Sequence, residues 1–277
     1  LQDILENLLT YCELRLTYLQ FGSGKEILLA FHGFGRNAED FKIFEKTLGD
    51  RYTVLAFNLF HHGNTFYPSE RIDKDTLEKK EIKALFDQLF TEKGIDKFSV
   101  LGYSLGGKVA LTLIEQFPER VNNCYLMAPD GIKVTYWYKF VSHTWFGTRL
   151  YKGIMKKPKP FFAFINFLRG IRLMRKKIHY FIVVHMDTPE KRGLVYNVWM
   201  TFRKIEPKTS TVAQYINEQN IRVELFFGKY DKVIPPKIGQ RFMRKLNQKD
   251  GLHVLESGHM LLNSDTDQLL KKLINHD

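Results

Sequence analysis

Gly102-Tyr103-Ser104-Leu105-Gly106 places a serine between two glycines where an apolar run, Phe98 to Tyr103, gives way to a stretch of helical spacing. A serine on such a strand-to-helix turn stands on strained backbone with its hydroxyl projecting past the sheet edge. The flanking glycines let strand and helix approach closely enough to make the turn. The start of the following helix offers free N–H groups that favour a developing negative charge. This arrangement suits attack by Ser104 on an electrophilic carbonyl.

A serine hydroxyl is a weak nucleophile near neutral pH, so it needs a base to take its proton and a carboxylate to hold that base in one tautomer. Of the nine histidines, His259 stands in Glu256-Ser257-Gly258-His259-Met260, after the last strand-like run and before the last helical one. That puts it on the same sheet rim as Ser104. Asp231, in Gly228-Lys229-Tyr230-Asp231-Lys232, lies just beyond the preceding strand. The chain order Ser, Asp, His is the one this triad needs in a doubly wound sheet. Asp130 is the rival acid, also just past a strand, and its other reading is a turn residue.

A tetrahedral intermediate needs its oxyanion held by preorganised donors. The N–H of Leu105, directly after the serine, is expected to be one. The N–H of Phe34 is expected to be the other, on the loop His32-Gly33-Phe34-Gly35, whose glycines let the backbone turn an N–H inward. His32, Gly33, Gly102 and Gly106 are the expected supporting residues. His61 and His62 are expected to serve the structure near the site rather than to react. No grouping suits a metal, and no cofactor is expected.

These residues need a sheet whose strand ends share one rim. Glu13 to Gln20, Ile27 to Phe31, Tyr52 to Phe57, Phe98 to Tyr103, Val121 to Ala128, Ile221 to Phe227 and Leu252 to Leu255 read as strands. Asp75 to Glu92, Leu105 to Phe117, Ile238 to Leu246 and Met260 to Ile274 read as helices. Strands alternating with helices predict an α/β fold, a doubly wound and mostly parallel sheet covered on both faces. The alternation stops between Ala128 and Thr209, where aromatic-rich and basic stretches include Trp145, Phe146, Phe161, Phe162, Phe164 and Phe167. The expected organisation is a core of residues 1–130 and 209–277 with a helical cap or lid, 131–208, inserted after one strand. Its aromatics are expected to form mainly the cap's own core, and Lys156 to Pro160 an exposed extended connection.

The chain has 277 residues, 44% hydrophobic and 26% charged, a composition that folds rather than staying disordered. Its formal net charge is +12. Between Gly131 and Ser210 stand 17 lysines and arginines against three acids, so the basicity belongs to that one segment. A basic outer face there suits an acidic carrier protein, a phosphate-bearing thioester or an anionic membrane surface. No nucleic-acid-binding module accompanies the charge, so nucleic acid is not an expected partner. Leu1 to Tyr18 carries Asp3, Glu6 and Glu13 and lacks the form of a secretion signal, and no apolar stretch has the length of a membrane span. Cys12 and Cys124, in no metal or redox spacing, are expected as small buried hydrophobes in a reducing compartment. A cytoplasmic location is expected, with a peripheral position at a membrane surface as its variant.

Together, His32-Gly33-Phe34-Gly35, Gly102 to Gly107, Gly228 to Pro235 and Gly258-His259 resemble the α/β-hydrolase superfamily, over essentially the whole chain outside the insertion. The resemblance is greatest to its capped esterases, carbon-carbon bond hydrolases and thioesterase-like enzymes. It implies an eight-stranded sheet and hydrolysis of an ester or thioester through an acyl-enzyme on Ser104; an apolar underside of the aromatic-rich insertion would favour an apolar acyl or aromatic substrate. The alternatives are carbon-carbon bond hydrolysis, lyase or perhydrolase chemistry with the same triad, and a ligand-binding protein without catalysis. One stretch departs from the pattern: where such proteins often carry an Asp, a Pro-Gly pair, then Gly and Ser, this chain reads Asn58-Leu59-Phe60-His61-His62-Gly63-Asn64-Thr65.

Overall fold

Six-residue apolar runs form the centre of the molecule. In the computed structural model, which describes residues 7–133, 136–174 and 176–275, eight strands build one sheet in the order β1-β2-β4-β3-β5-β6-β7-β8. They are β1 (Asn7–Tyr11), β2 (Leu14–Phe21), β3 (Glu26–Phe31), β4 (Tyr52–Phe57), β5 (Phe98–Tyr103), β6 (Val121–Met127), β7 (Arg222–Gly228) and β8 (Leu252–Leu255). From β3 to β8 neighbouring strands pair in parallel, whereas β2 runs antiparallel to both β1 and β4. All six residues of β5 are buried, as a parallel strand covered on both faces requires. Phe31, Phe57 and Phe86 stack or meet edge to face at centroid separations of 5.2 to 5.7 Å, and Phe90, Phe98 and Phe117 extend this aromatic core.

Twelve α-helices accompany the sheet among the described residues: the short α1 (Glu45–Leu48) and α2 (Arg71–Lys74), then α3 (Lys79–Lys93), α4 (Leu105–Gln116), α5 (Tyr136–His143), α6 (Trp145–Lys156), α7 (Pro158–Gly170), α8 (Lys176–Met186), α9 (Pro189–Thr201), α10 (Thr209–Glu218), α11 (Lys237–Met243) and α12 (Ser264–Asn275). The chain divides into two compact units. The larger, Leu1–Pro68, Leu77–Lys133 and Lys204–Asp277, holds the sheet. The smaller joins Val134–Arg203 to Ser69–Thr76. The strap Ser69–Thr76 escaped the sequence reading, which treated 131–208 as one insertion.

The strap is fixed by side chains of its own unit. Asp73 pairs with Lys152 at 2.9 Å and accepts the Tyr196 hydroxyl at 2.5 Å. Thr76 donates to the carbonyl of Met200 at 2.6 Å and approaches that of Thr201 at 2.7 Å. Within the unit, Tyr151 packs on Tyr196 and Trp199, and Tyr138 on Trp199. Part of the aromatic content is therefore core, while Trp145, Phe146, Phe164 and Phe167 are exposed.

Several boundaries differ from the sequence reading. The helix expected from Asp75 starts at Lys79, because Thr76 is held by the smaller unit and Glu78 and Glu81 form a reciprocal cap. The helix expected from Met260 starts at Ser264, since Asn263 accepts the Thr266 N–H at 3.0 Å and caps it. The helix expected from Ile238 to Leu246 is Lys237–Met243. Lys156 to Pro160 is no extended connection: only Lys157 separates α6 from α7, and Pro158 opens α7 at the helix position that needs no N–H donor. Cys124 is buried, but Cys12 is exposed on the two-residue hairpin between β1 and β2 at φ 50°. The strand β1 and the helix α10 escaped the sequence reading. Residues 1–6, where Asp3 and Glu6 carried the reading of the chain's start, lie outside the described residues. No helix among the described residues is long and apolar enough to cross a membrane.

Candidate active site

Ser104, between β5 and α4, stands on strained backbone at φ 51° and ψ −115°. Left-handed φ is costly for a residue with a Cβ, and surrounding bonds hold it there. The Ser104 N–H donates to the Met127 carbonyl at 2.9 Å, and its carbonyl accepts the N–H groups of Gly107 at 2.9 Å and Asp130 at 2.8 Å. Two glycines make the turn sterically feasible. A Cβ on Gly106 would lie 1.9 Å from the Phe31 carbonyl oxygen, and one on Gly102 2.7 Å from the Gly107 Cα.

The hydroxyl so placed meets an imidazole. Ser104 Oγ lies 3.0 Å from His259 Nε2, and His259 Nδ1 lies 2.7 Å from Asp231 Oδ2. The Asp231 side chain is fully buried while that of His259 is 27% exposed, so the ring is open to a ligand and its acid partner is not. Three strand ends converge here: Ser104 follows β5, Asp231 follows β7 and His259 follows β8. In open parallel sheets the carboxyl ends of the strands are where ligands bind. Tyr103 backs the ring with its centroid 5.6 Å away and donates its hydroxyl to the His259 carbonyl at 3.1 Å. Burial pushes this phenol up to about 12, so it remains a donor at neutral pH.

The rival acid is elsewhere engaged. Asp130 lies 3.4 Å from the buried ammonium of Lys108 and accepts the Gly131 N–H at 2.8 Å. Of the two acids considered from sequence, the structure brings Asp231 to the imidazole.

The loop after β3 passes directly against the serine. A Cβ on Gly33 would fall 3.1 Å from the Ser104 Cβ and 2.9 Å from the Tyr103 ring, so only glycine fits this close approach. Phe34, the next residue, is half-buried. Leu105 opens α4, and the first N–H groups of a helix have no acceptor one turn back. His32 is buried: its Nδ1–H donates to the Gly33 carbonyl at 2.7 Å and its Nε2 accepts the Leu59 N–H at 3.0 Å. Burial and the neighbouring His62 push His32 down to about 3, so it is neutral.

Sequence reasoning passed over how His62 works. Its Nε2 accepts the Gly35 N–H at 2.9 Å and its Nδ1–H donates to the Phe60 carbonyl at 3.1 Å, which ties the loop after β4 to the loop after β3. Asn58 makes a second tie, accepting the Ala38 N–H at 2.8 Å and donating to Thr17 Oγ1 at 3.0 Å. The signal was present in the sequence as two polar residues following a buried strand. No cluster of three or more candidate metal ligands exists among the described residues.

A mostly parallel sheet that delivers serine, aspartate and histidine, in that chain order, to one rim defines a doubly wound protein of the hydrolase type. The chain belongs to the alpha/beta hydrolase fold family, whose model matches residues 26–265. Similarity to individual proteins is spread thinly. It is 34% identical over 118 residues, 43% of this chain, to the dihydrolipoyllysine-residue acetyltransferase component of the acetoin cleaving system of Cupriavidus necator. The chain spans only 30% of that relative's length. To 2-hydroxy-6-oxononadienedioate/2-hydroxy-6-oxononatrienedioate hydrolase 1 of Pseudomonas putida it is 23% identical over 89% of this chain and 86% of the relative. A thermophilic esterase from Thermogutta terrifontis superposes with TM-score 0.67 at 15% identity, covering 98% of this chain and 97% of that one.

Proposed function

We propose that the protein hydrolyses a carboxylic ester or thioester through an acyl-enzyme on Ser104. The observation that carries this reading is the unbroken chain Ser104 Oγ, His259 Nε2 and Nδ1, Asp231 Oδ2, with links of 3.0 and 2.7 Å. Hydrogen-bonded in this order, Ser104 is the nucleophile, His259 the base and Asp231 the group that fixes the ring's tautomer.

In the proposed reaction Ser104 Oγ bonds to the acyl carbon as its proton passes to His259 Nε2. The N–H groups of Leu105 and Phe34 hold the resulting oxyanion, with Gly33 bringing the second close to the serine. The intermediate collapses, the bond to the alcohol or thiol breaks, and His259 returns the proton to the leaving group. Water repeats the cycle: His259 takes its proton, hydroxide adds to the acyl carbon, and the carboxylic acid leaves as Ser104 regains its hydrogen.

One observation supports a second reading. The Pseudomonas putida relative, a hydrolase of a 2-hydroxy-6-oxo dienedioate by its name, matches over most of both chains. The same hydrogen-bonded set would then cleave a carbon-carbon bond next to a ketone. A chain-length series of oxygen esters beside matching acyl thioesters and a 2-hydroxy-6-oxo dienoate, with Ser104→Ala as blank, tests both. Turnover of the esters or thioesters alone supports the first reading; turnover of the dienoate alone replaces it with the second. Fluorophosphonate labelling of the Ser104→Ala protein equal to that of the unmodified chain would remove Ser104 from either role.

A further inference from the structure

Between Asp130 and Asp187 the chain has twelve lysines and arginines and no acidic residue. Eight of the fifteen large apolar side chains that stand exposed among the described residues fall in the same stretch, between Trp145 and Tyr180. That concentration is confined to α6, α7, α8 and the turns joining them.

α7 is amphipathic the wrong way round for a helix that packs by its apolar stripe. Pro160, Ala163, Phe164, Phe167 and Ile171 recur at spacings of three and four, which places them on one face, and that face is exposed. Phe164 is 57% and Phe167 60% exposed, whereas Ile165, off this face, is buried. Exposed basic residues bracket the stripe, with Lys156, Lys157 and Lys159 before it and Arg172 and Lys176 after it. On the neighbouring α6, Trp145 is 74% exposed and carries the Arg149 guanidinium 5.6 Å from its ring centroid.

We propose that the exposed apolar face of α7 docks on an anionic phospholipid surface, with its rings at the acyl boundary and the flanking cations among the headgroup phosphates. A row of protruding rings with basic flanks is the pattern of helices that lie in a membrane interface. Trp and Tyr settle at that level because one end is apolar and the other polar. The charge selects among occupants. A symmetric pairing of two copies would set the acid-free stretch against itself. A protein partner would need sockets matched to each ring, which a fluid acyl boundary does not. With no described helix long and apolar enough to span a bilayer, the contact is to one surface. The inference is independent of the reaction proposed above, since its test reads vesicle binding.

The test is co-sedimentation of the purified chain with phosphatidylcholine vesicles and with vesicles in which about a third of the lipid is phosphatidylglycerol. The chain is expected to pellet with the anionic vesicles and stay in solution with the neutral ones. Raising salt from about 0.1 M to about 1 M shortens the Debye length from about 10 Å to about 3 Å and is expected to weaken binding at least about tenfold. The double substitution Phe164→Ser, Phe167→Ser is expected to lower binding about tenfold or more with unchanged melting temperature and soluble-ester turnover. Lys157→Glu with Lys159→Glu is expected to do the same without touching the rings. Pelleting that is equal on both vesicle types, whether complete or absent, would overturn the proposal. So would a serine double variant that binds as the parent does, or one whose only change is conversion of a dimer to a monomer.

Discussion

Asp231 holds the Nδ1 side of His259 at 2.7 Å through Oδ2, while its Oδ1 is itself held by the backbone N–H groups of Val233 at 2.7 Å and Ile234 at 2.9 Å. The ring's orientation is thus set by the turn after β7 rather than by a freely rotating carboxylate. Replacing Asp231 by Asn keeps an acceptor for the turn but offers His259 an amide that can stabilise the wrong tautomer. Asp231→Asn should therefore fold normally and lose about 10⁴-fold in kcat. Asp231→Ala should in addition cost about 0.5 to 1.5 kcal/mol by removing the acceptor of the Val233 and Ile234 N–H groups. Steady-state kinetics beside urea denaturation separates the two effects, and an Asn variant of near-normal kcat would exclude Asp231 from orienting the ring.

The backbone at Ser104 predicts a stability change that runs against activity. Both Ser104→Ala and Ser104→Gly remove the hydroxyl proposed as nucleophile and should abolish turnover, a loss of about 10⁴-fold or more. Glycine, however, adopts φ 51° without the penalty that alanine retains. Ser104→Gly should be more stable than Ser104→Ala by about 1 kcal/mol, the order of strain such a conformation stores. Calorimetric melting of the two inactive proteins measures the difference, and an alanine variant that melts higher would show the turn to be relaxed.

Glycines divide into those the site requires and those it does not. A Cβ on Gly228 would lie 1.9 Å from the carbonyl oxygen of Gly258, the residue before His259, and backbone cannot swing aside as a side chain can. Gly228→Ala should push the His259 loop off β7 and lower both kcat and melting temperature. Gly153, inside α6, has nothing within 4 Å of its Cβ position, and Gly153→Ala should stabilise its helix by about 0.5 to 1 kcal/mol. Comparing the two substitutions tests whether the sheet rim, rather than glycine content as such, sets the tolerance.

What could be read from sequence follows from how local each signal is. Ser104 and its glycines announce themselves because the turn's geometry admits few residue types, and β5 because a strand buried on both faces is apolar throughout. Asp231 could be chosen over Asp130 only by its place after β7, and the ion pair that occupies Asp130 joins it to Lys108, 22 positions earlier. β1 was missed because its burial alternates weakly and its partner is β2 rather than the parallel strands. The strap Ser69–Thr76 is held by Tyr196, Lys152 and the Met200 carbonyl, all distant in sequence, so no periodicity near residue 70 could reveal it. The rings of α7 stand exposed where the sequence predicts core, because aromatic content alone does not distinguish a buried face from a solvent-facing one and only neighbours decide between them.

His32 makes the fold sensitive to acid in a way that can be signed. Folded, it is neutral, with a proton on Nδ1 for Gly33 and a lone pair on Nε2 for Leu59, and burial with His62 nearby lowers its affinity for a second proton to about 3. Unfolded, it titrates near 6.5. Between these values the unfolded chain binds the extra proton and the folded chain does not, so stability falls as pH drops from about 6.5 toward 3. Burial lowers His61, to about 4, and His62 in the same direction, so their contributions add in sign. Each such group can steepen the dependence by up to about 1.4 kcal/mol per pH unit. His32→Gln keeps an acceptor for Leu59 but cannot take up the proton, so it should be less stable at pH 7 and show a shallower loss between pH 6 and 4. Urea midpoints across that interval give the proton uptake directly, and a variant whose slope equals the parent's would mean that His32 is not held neutral by the fold.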